Sequence, residues 1–314
     1  MKTESQASDS LEQFNIVQLG DGRDLAYAFF GDPDGFPVFY FHGTPSSRFE
    51  AAFADDAACI HHMRLVAVDR PGFGRSSFQP ERRFVDWPGD VIALADHLKL
   101  ETFGIAGHSG AGPHLFACGV SISPDRLAFI GALGPWGPIA TAETAHSLNA
   151  LDRAYMRIAR HMPWTMRAAF APMGWAIRYW PDLFFTIMKN AVSRADRMVL
   201  ENSAMRTLFQ TILCEAFRQD SRGPAYEAGI AYRDWGFDIA DVQVPTCIWL
   251  GEEDIFVPQA MGHHMAENIA NIEFHFVPGK GHFNIENWDD IFAACARHIS
   301  GHVSSALPPE TLSP

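Results

Sequence analysis

The chain has 314 residues, more than one hydrophobic core usually spans, so one main domain carrying a sizeable insertion is expected rather than two independent folds. Its 47% hydrophobic content excludes a disordered body, and its formal charge of −13 repels polyanions, which argues against nucleic acid as a partner. The polar stretch 1–20 lacks a basic start followed by an apolar core, and no run approaches the ~18 apolar residues of a spanning helix. Five scattered cysteines, Cys59, Cys118, Cys214, Cys247 and Cys295, read as reduced thiols, so a cytoplasmic protein is expected.

Residues 12–20 and 23–31 read as a hairpin turning at Gly20-Asp21-Gly22. From residue 36 onward, strand-like runs at 36–41, 64–68, 102–106 and 127–133 alternate with helical stretches at 47–60, 86–98 and 113–120. Such alternation indicates an α/β fold, a doubly wound and mostly parallel sheet with helices on both faces. The pattern stops at Gly134-Pro135-Trp136-Gly137-Pro138 and resumes at Val244-Pro245. Between them, helical periodicity at Leu148, Leu151, Tyr155 and Ile158 is broken by Pro163, Pro172 and Pro181. The expected organisation is a core in two parts, 1–135 and 236–303, with a helical cap at 136–235 inserted after the sixth strand. Residues 1–10 and 304–314 read as loose tails.

The run at 102–106 leads into Gly107-His108-Ser109-Gly110-Ala111-Gly112, the layout of a nucleophile elbow. A serine hydroxyl needs a base to take its proton, and a sharp strand-to-helix turn exposes its Oγ to one. Glycine–serine strings also form ordinary turns, so the partners decide. They follow in order. The strand-like run 246–250 ends in Gly251-Glu252-Glu253-Asp254-Ile255-Phe256-Val257-Pro258, and the run 272–278 is followed by Gly279-Lys280-Gly281-His282. Ser, then Asp, then His, each leaving the carboxyl end of a strand, is the order of a serine triad on a doubly wound sheet. Glu252 and Glu253 compete with Asp254 as the acid, and the pattern Gly-x-x-Asp-x-x-Val-Pro favours Asp254. Ahead of all three, the strand 36–41 runs into His42-Gly43-Thr44-Pro45; the backbone N–H groups of Thr44 and Gly110 are the candidates for an oxyanion hole.

His42-Gly43-Thr44-Pro45, Asp69-Arg70-Pro71-Gly72-Phe73-Gly74-Arg75-Ser76, the Ser109 elbow, the turn 251–258 and Gly281-His282 together resemble the ordered landmarks of the α/β-hydrolase superfamily. The resemblance runs from about residue 25 to 299. It implies an α/β-hydrolase fold and marks Asp69-Arg70 as a brace for its loop through Ser76. One departure is Ala111, where the family usually has the last glycine of the elbow; Gly110 and Gly112 flank it and keep a tight approach available.

The cap holds seven of the eleven methionines and five of the eight tryptophans. These residues can simply fill a helical core. As a group they also suggest an apolar roof over the site, with Trp136, Trp164 and Met166 as candidate substrate contacts. His42 is a further candidate contact, although His42 and His108 are also expected to shape their turns. The adjacent pairs His61-His62 and His263-His264 do not converge on a metal as i and i+4 pairs would, and no H-E-x-x-H, P-loop or complete G-x-G-x-x-G string is present. No cofactor is expected. The chemistry these residues suggest is hydrolysis of small, neutral, apolar carboxylic esters through an acyl-enzyme. Cleavage of a lactone, an amide or a C–C bond by the same triad remains open, as do a slow ligand-binding receptor and a homodimer.

Overall fold

The computed structural model describes residues 14–299. The start expected for the first strand at Glu12, and the two tails, lie outside the described residues. The strands are β1 (Asn15–Gln18), β2 (Asp24–Gly31), β3 (Phe36–Phe41), β4 (Met63–Val68), β5 (Phe103–His108), β6 (Leu127–Leu133), β7 (Thr246–Gly251) and β8 (Ile272–Val277). They form one sheet in the order β1-β2-β4-β3-β5-β6-β7-β8. β1 pairs antiparallel with β2 and β2 with β4, while every later pairing is parallel. The central strands β5, β6 and β7 are buried along their whole length, because parallel strands joined by crossover helices are covered on both faces.

Successive residues of β3 show the two-faced packing. Phe39 and Phe41 join one core cluster with α2 (Trp87–His97), α3 (Gly112–Ser121) and α11 (Gln259–Asn268), while Val38 and Tyr40 join another with α1 (Asp55–Ile60) and α12 (Trp288–Ala296). The stretch read as one helix over 47–60 is two elements, a 3-10 helix at Arg48–Phe53 and then α1. Its first half is tethered at two points that favour tighter winding. Arg48 gives both its backbone N–H and its guanidinium to Asp69, and Glu50 accepts the Gly43 N–H.

Between β6 and β7 lie seven α-helices and no strand: α4 (Ala142–Ser147), α5 (Ala150–His161), α6 (Met166–Tyr179), α7 (Pro181–Ala191), α8 (Arg194–Glu201), α9 (Ser203–Ala216) and α10 (Arg222–Ala231). Prolines read in the sequence as breaks act in different ways. Pro181 opens α7, where a missing N–H costs nothing, whereas Pro172 lies inside α6. Serine and asparagine side chains cap helix starts: Asn149 accepts the Asp152 N–H before α5, Ser193 that of Asp196 before α8, and Asn202 those of Ala204 and Met205 before α9.

Buried carboxylates tie this cap to the core. Glu227 of α10 is 2% exposed; its oxygens accept from Arg70 Nη2 at 2.5 Å, Arg70 Nε at 3.0 Å and Arg82 at 3.0 Å. Glu215 of α9 accepts from Arg48 and from Arg218, each at 2.7 Å. Burial opposes the charge on Glu227, and Arg70 and His114 overcome it, holding the carboxyl well below its ordinary range. Removing Glu227 would strand two buried guanidinium groups, so Glu227→Ala is expected to cost about 3–5 kcal/mol in chemical denaturation. Arg218→Ala, at the half-exposed end of the other network, is expected to cost ~1 kcal/mol or less. Equal losses in the two variants would show that the Glu227 cluster does not anchor the cap.

Candidate active site

Ser109 leaves the carboxyl end of β5 and opens a short 3-10 turn that runs into α3. Its backbone is left-handed, with φ of 55°, a conformation that costs a non-glycine residue roughly 1–2 kcal/mol. The turn is held from both sides. A Cβ at Gly107 would lie 2.6 Å from the Phe41 carbonyl oxygen and 2.7 Å from the Ala111 Cβ, and one at Gly112 would lie 2.1 Å from the Trp136 carbonyl oxygen. The methyl of Ala111 is therefore accommodated because Gly107 faces it. Ser109, Gly110 and Thr44 keep partial exposure within otherwise buried surroundings.

The loops after β7 and β8 bring the other two residues to the serine. His282 Nε2 stands 2.8 Å from Ser109 Oγ, and His282 Nδ1 stands 2.7 Å from Asp254 Oδ2. Asp254 Oδ1 accepts the N–H groups of Phe256 and Val257 at 2.8 and 2.9 Å, which fixes the carboxylate plane. With Nδ1–H donating to Asp254, Nε2 is the acceptor facing the serine hydroxyl. Glu252 and Glu253, the rival acids, are exposed. Burial disfavours the His282 imidazolium, but the charge and hydrogen bond of Asp254 outweigh it and hold the pKa above the ordinary 6.5.

Thr44 and Gly110 face each other across the site, since a Cβ on Gly110 would lie 3.0 Å from the Thr44 nitrogen. Among the described residues the Thr44 N–H meets no acceptor, and Gly110 is in the first turn of its 3-10 helix, where N–H groups have no intrahelical partner. Gly43 is different. Its N–H is committed to Glu50 at 2.9 and 3.1 Å. Thr44 Oγ1 donates to Glu227 at 2.5 Å, which ties this loop to the cap.

His42 does not face the site. It is fully buried, its Nδ1 lies 2.7 Å from the Gly43 carbonyl and its Nε2 accepts the Arg70 N–H at 3.3 Å, so both ring nitrogens are used inside the protein. Burial, and then Arg70, push its pKa down to about 3. The expectation of a substrate contact is thus corrected, and the turn-shaping role stands. His108 likewise braces the site, with Nε2–H donating to the His282 carbonyl at 3.1 Å. Arg70 gives hydrogen bonds to the His42 and Gly43 carbonyls, and Ser76 Oγ to the Asp69 carbonyl at 2.6 Å.

The cap residues divide. Trp136 touches the elbow through its backbone, whose N–H donates to the Ser109 carbonyl at 2.7 Å, while its ring is buried in the main core cluster and meets Tyr232 edge-on at 5.6 Å between centroids. Met166 is buried in the main core cluster. Trp164 is 78% exposed in the 3-10 turn between α5 and α6, so it points into solvent and not over Ser109. Composition alone cannot say which face of a helix meets the core.

One residue that the sequence did not mark is Asp196 of α8. It is 1% exposed; its Oδ2 accepts the His282 N–H at 3.0 Å and its Oδ1 the Phe283 N–H at 2.7 Å. Ser193 Oγ and Asp196 Oδ2 occupy the space where a side chain at Gly281 would begin, each 2.4 Å from that Cβ position. The glycine before the histidine therefore makes room for a carboxylate from the cap. Only Ser193-x-x-Asp196, a helix-start pattern, hinted at it.

The family model described as the alpha/beta hydrolase family matches residues 38–294. The chain belongs to that family. It is 25% identical over 282 residues to a bifunctional esterase/perhydrolase of Acinetobacter calcoaceticus, covering 85% of this chain and 92% of that protein. It is 33% identical to a non-heme chloroperoxidase of Streptomyces lividans over 119 residues, which are 36% of this chain and 41% of that protein. The crystal structure of an esterase from Rhodococcus sp. ECU1013 superimposes with a TM-score of 0.63 at 20% identity, covering 93% of this chain and 98% of that one; it shares the fold.

The charges around His282 predict its titration. An NMR titration of the imidazole is expected to show a midpoint above 6.5, because the Asp254 and Asp196 carboxylates both favour the imidazolium. Asp254→Asn should move that midpoint to lower pH, and Asp196→Asn should do so by less. A midpoint that stays put in both variants would mean that these carboxylates do not set it.

Proposed function

We propose that the protein is a serine hydrolase of carboxylic esters with small, neutral, apolar acyl or alcohol groups. The observation that carries this reading is the continuous hydrogen-bonded line from Ser109 Oγ through His282 to Asp254, starting at a serine held in left-handed backbone. His282 Nε2 takes the hydroxyl proton as Ser109 Oγ attacks the ester carbonyl, and Asp254 holds the tautomer and balances the imidazolium. The Thr44 and Gly110 N–H groups receive the oxyanion. His282 then protonates the leaving alcohol, water attacks the acyl-enzyme, and Ser109 is released. We assign the Trp136 and Tyr232 rings, which meet edge-on at 5.6 Å, as an aromatic wall of the acyl pocket, and the cap, 136–235, as the segment that shapes that pocket. The name of the Acinetobacter relative supports a second reading, in which hydrogen peroxide replaces water and a peracid leaves. Peracid release from an ester with peroxide, measured beside hydrolysis, separates the two.

An organophosphonate should add once, on Ser109, and abolish turnover of nitrophenyl esters; Ser109→Ala should neither label nor hydrolyse. Asp254→Asn should fold and lose about four orders of magnitude in turnover, whereas Glu252→Gln and Glu253→Gln should lose little. Labelling of another serine, or a larger loss at Glu252 or Glu253, would reassign the site.

Substrate preference follows from the same wall. Turnover efficiency on esters of graded chain length should rise by up to ~0.8 kcal/mol per buried methylene until the pocket fills. Trp136→Ala should flatten that rise, and Trp164→Ala should leave it unchanged. A preference for small anionic esters would overturn the apolar reading.

A further inference from the structure

The cap has a charge balance of its own. Residues 136–235 hold twelve of the 24 Lys and Arg but nine of the 37 Asp and Glu, which leaves the cap at +3 and the remainder of the chain at −16. The excess lies on its outer helices: 160–206 carry seven basic residues and three acidic ones, and of those three Asp196 is buried against the His282 loop. Arg178 and Arg194 are exposed with no carboxylate partner among the described residues, while the exposed Asp182 is paired with Arg206 at 3.3 Å.

The same helices expose apolar groups. Nine of the thirteen large hydrophobic side chains exposed among the described residues belong to the cap. Their centre is Trp175, Tyr179 and Trp180, which are 49%, 60% and 52% exposed. The rings touch one another, Trp175 to Trp180 at 4.1 Å and Trp175 to Tyr179 at 5.8 Å between centroids. Leu183 and Ile187, one turn apart on α7, continue the apolar surface and are 53% and 60% exposed. Soluble surfaces rarely gather so many large apolar groups without an occupant.

Charge decides which occupant fits. A second copy of the chain would set one positive cap against another, which opposes self-association through this face. A nucleic acid would gain nothing from Leu183 and Ile187, which need an apolar phase to bury them. Tryptophan and tyrosine with aliphatic neighbours suit the headgroup region of a bilayer, and exposed arginines on the same cap suit anionic headgroups. No helix among the described residues is long and apolar enough to cross a membrane, so attachment is peripheral. We propose that the outer face of the cap, centred on Trp175, Tyr179, Trp180, Leu183 and Ile187, docks the protein on an anionic lipid surface. Its consequence for substrate, that apolar esters are met where they concentrate, rests on the reading of Ser109 given above.

The test is co-sedimentation of the full chain, carrying Ser109→Ala so that no turnover intervenes, with phosphatidylcholine vesicles and with vesicles that also contain phosphatidylglycerol. Binding is expected to the anionic vesicles alone, to weaken with added salt, and to shift tryptophan emission to the blue. Trp175→Ser with Trp180→Ser, and separately Arg178→Glu with Arg194→Glu, should each lower partitioning about tenfold or more. Phosphonate labelling of the same substitutions in the Ser109 background reports that the fold is kept. Absence of sedimentation with either vesicle, or partitioning untouched by both double variants, would overturn the proposal. Self-association abolished by the tryptophan substitutions, with no vesicle binding, would overturn it in favour of a second copy. If the esters are not hydrolysed but the vesicles are bound, the docking stands and the enzymatic reading fails.

Discussion

Ser109 is held in left-handed backbone because three separate parts of the chain press on the turn that contains it. The Phe41 carbonyl at the end of β3 and the Ala111 methyl close on Gly107, and the first residues of the cap close on Gly112 through the Trp136 carbonyl. Trp136 also donates its N–H to the serine carbonyl. The roughly 1–2 kcal/mol stored at the serine is therefore balanced by contacts from β3, the 3-10 turn itself and the cap entrance together. Strand order follows from the same demand. With β3 and β6 on either side of β5, the loops that supply Thr44 and Trp136 must converge on the serine.

Buried carboxylates carry the next level of organisation. Glu50 takes the Gly43 N–H and leaves Thr44 as the free donor of the loop; Glu227 holds Thr44 Oγ1 and two arginines; Asp196 holds the two N–H groups at His282 and Phe283. Each is nine-tenths or more buried, and each is surrounded by cations or N–H donors, without which burial would neutralise it. Two of the three come from the cap. The inserted helices thus act on the site through polar contacts, and their exposed aromatic side chains take no part in these contacts.

Much of this was legible along the chain because its signals are local. Glycine and proline punctuate the strand ends, the alternation of strand and helix specifies a parallel sheet, and Ser109, Asp254 and His282 each stand just after a strand, where β5, β7 and β8 end. What could not be read is what depends on distant pairing. Asp196 meets His282 across 86 positions and Glu227 meets Thr44 across 183, and apart from the helix-start pattern at Ser193 nothing near either acid in sequence distinguishes it from a solvated helix residue. The same limit misdirected Trp164 and His42. A tryptophan in a cap rich in tryptophans and a histidine in a motif both invite a role at the site, yet the facing of the helix, and the two acceptable hydrogen bonds open to the imidazole, were fixed elsewhere. The 47–60 stretch has helical composition throughout, but Asp69 and Gly43 draw its first half into a tighter coil.

The carboxylate of Asp196 against Gly281 has a consequence for how this lineage can diverge. Exchanging the cap for another would be expected to change what enters the pocket. Here the exchange would also carry away the acceptor for two backbone N–H groups on the histidine loop and leave the gap beside Gly281 unfilled. Recombination at the cap boundaries would thus need to bring a matching acid, or a side chain at position 281 to occupy the gap. Cap and histidine loop are bound to drift as a pair, and substitutions in one should be tracked by substitutions in the other.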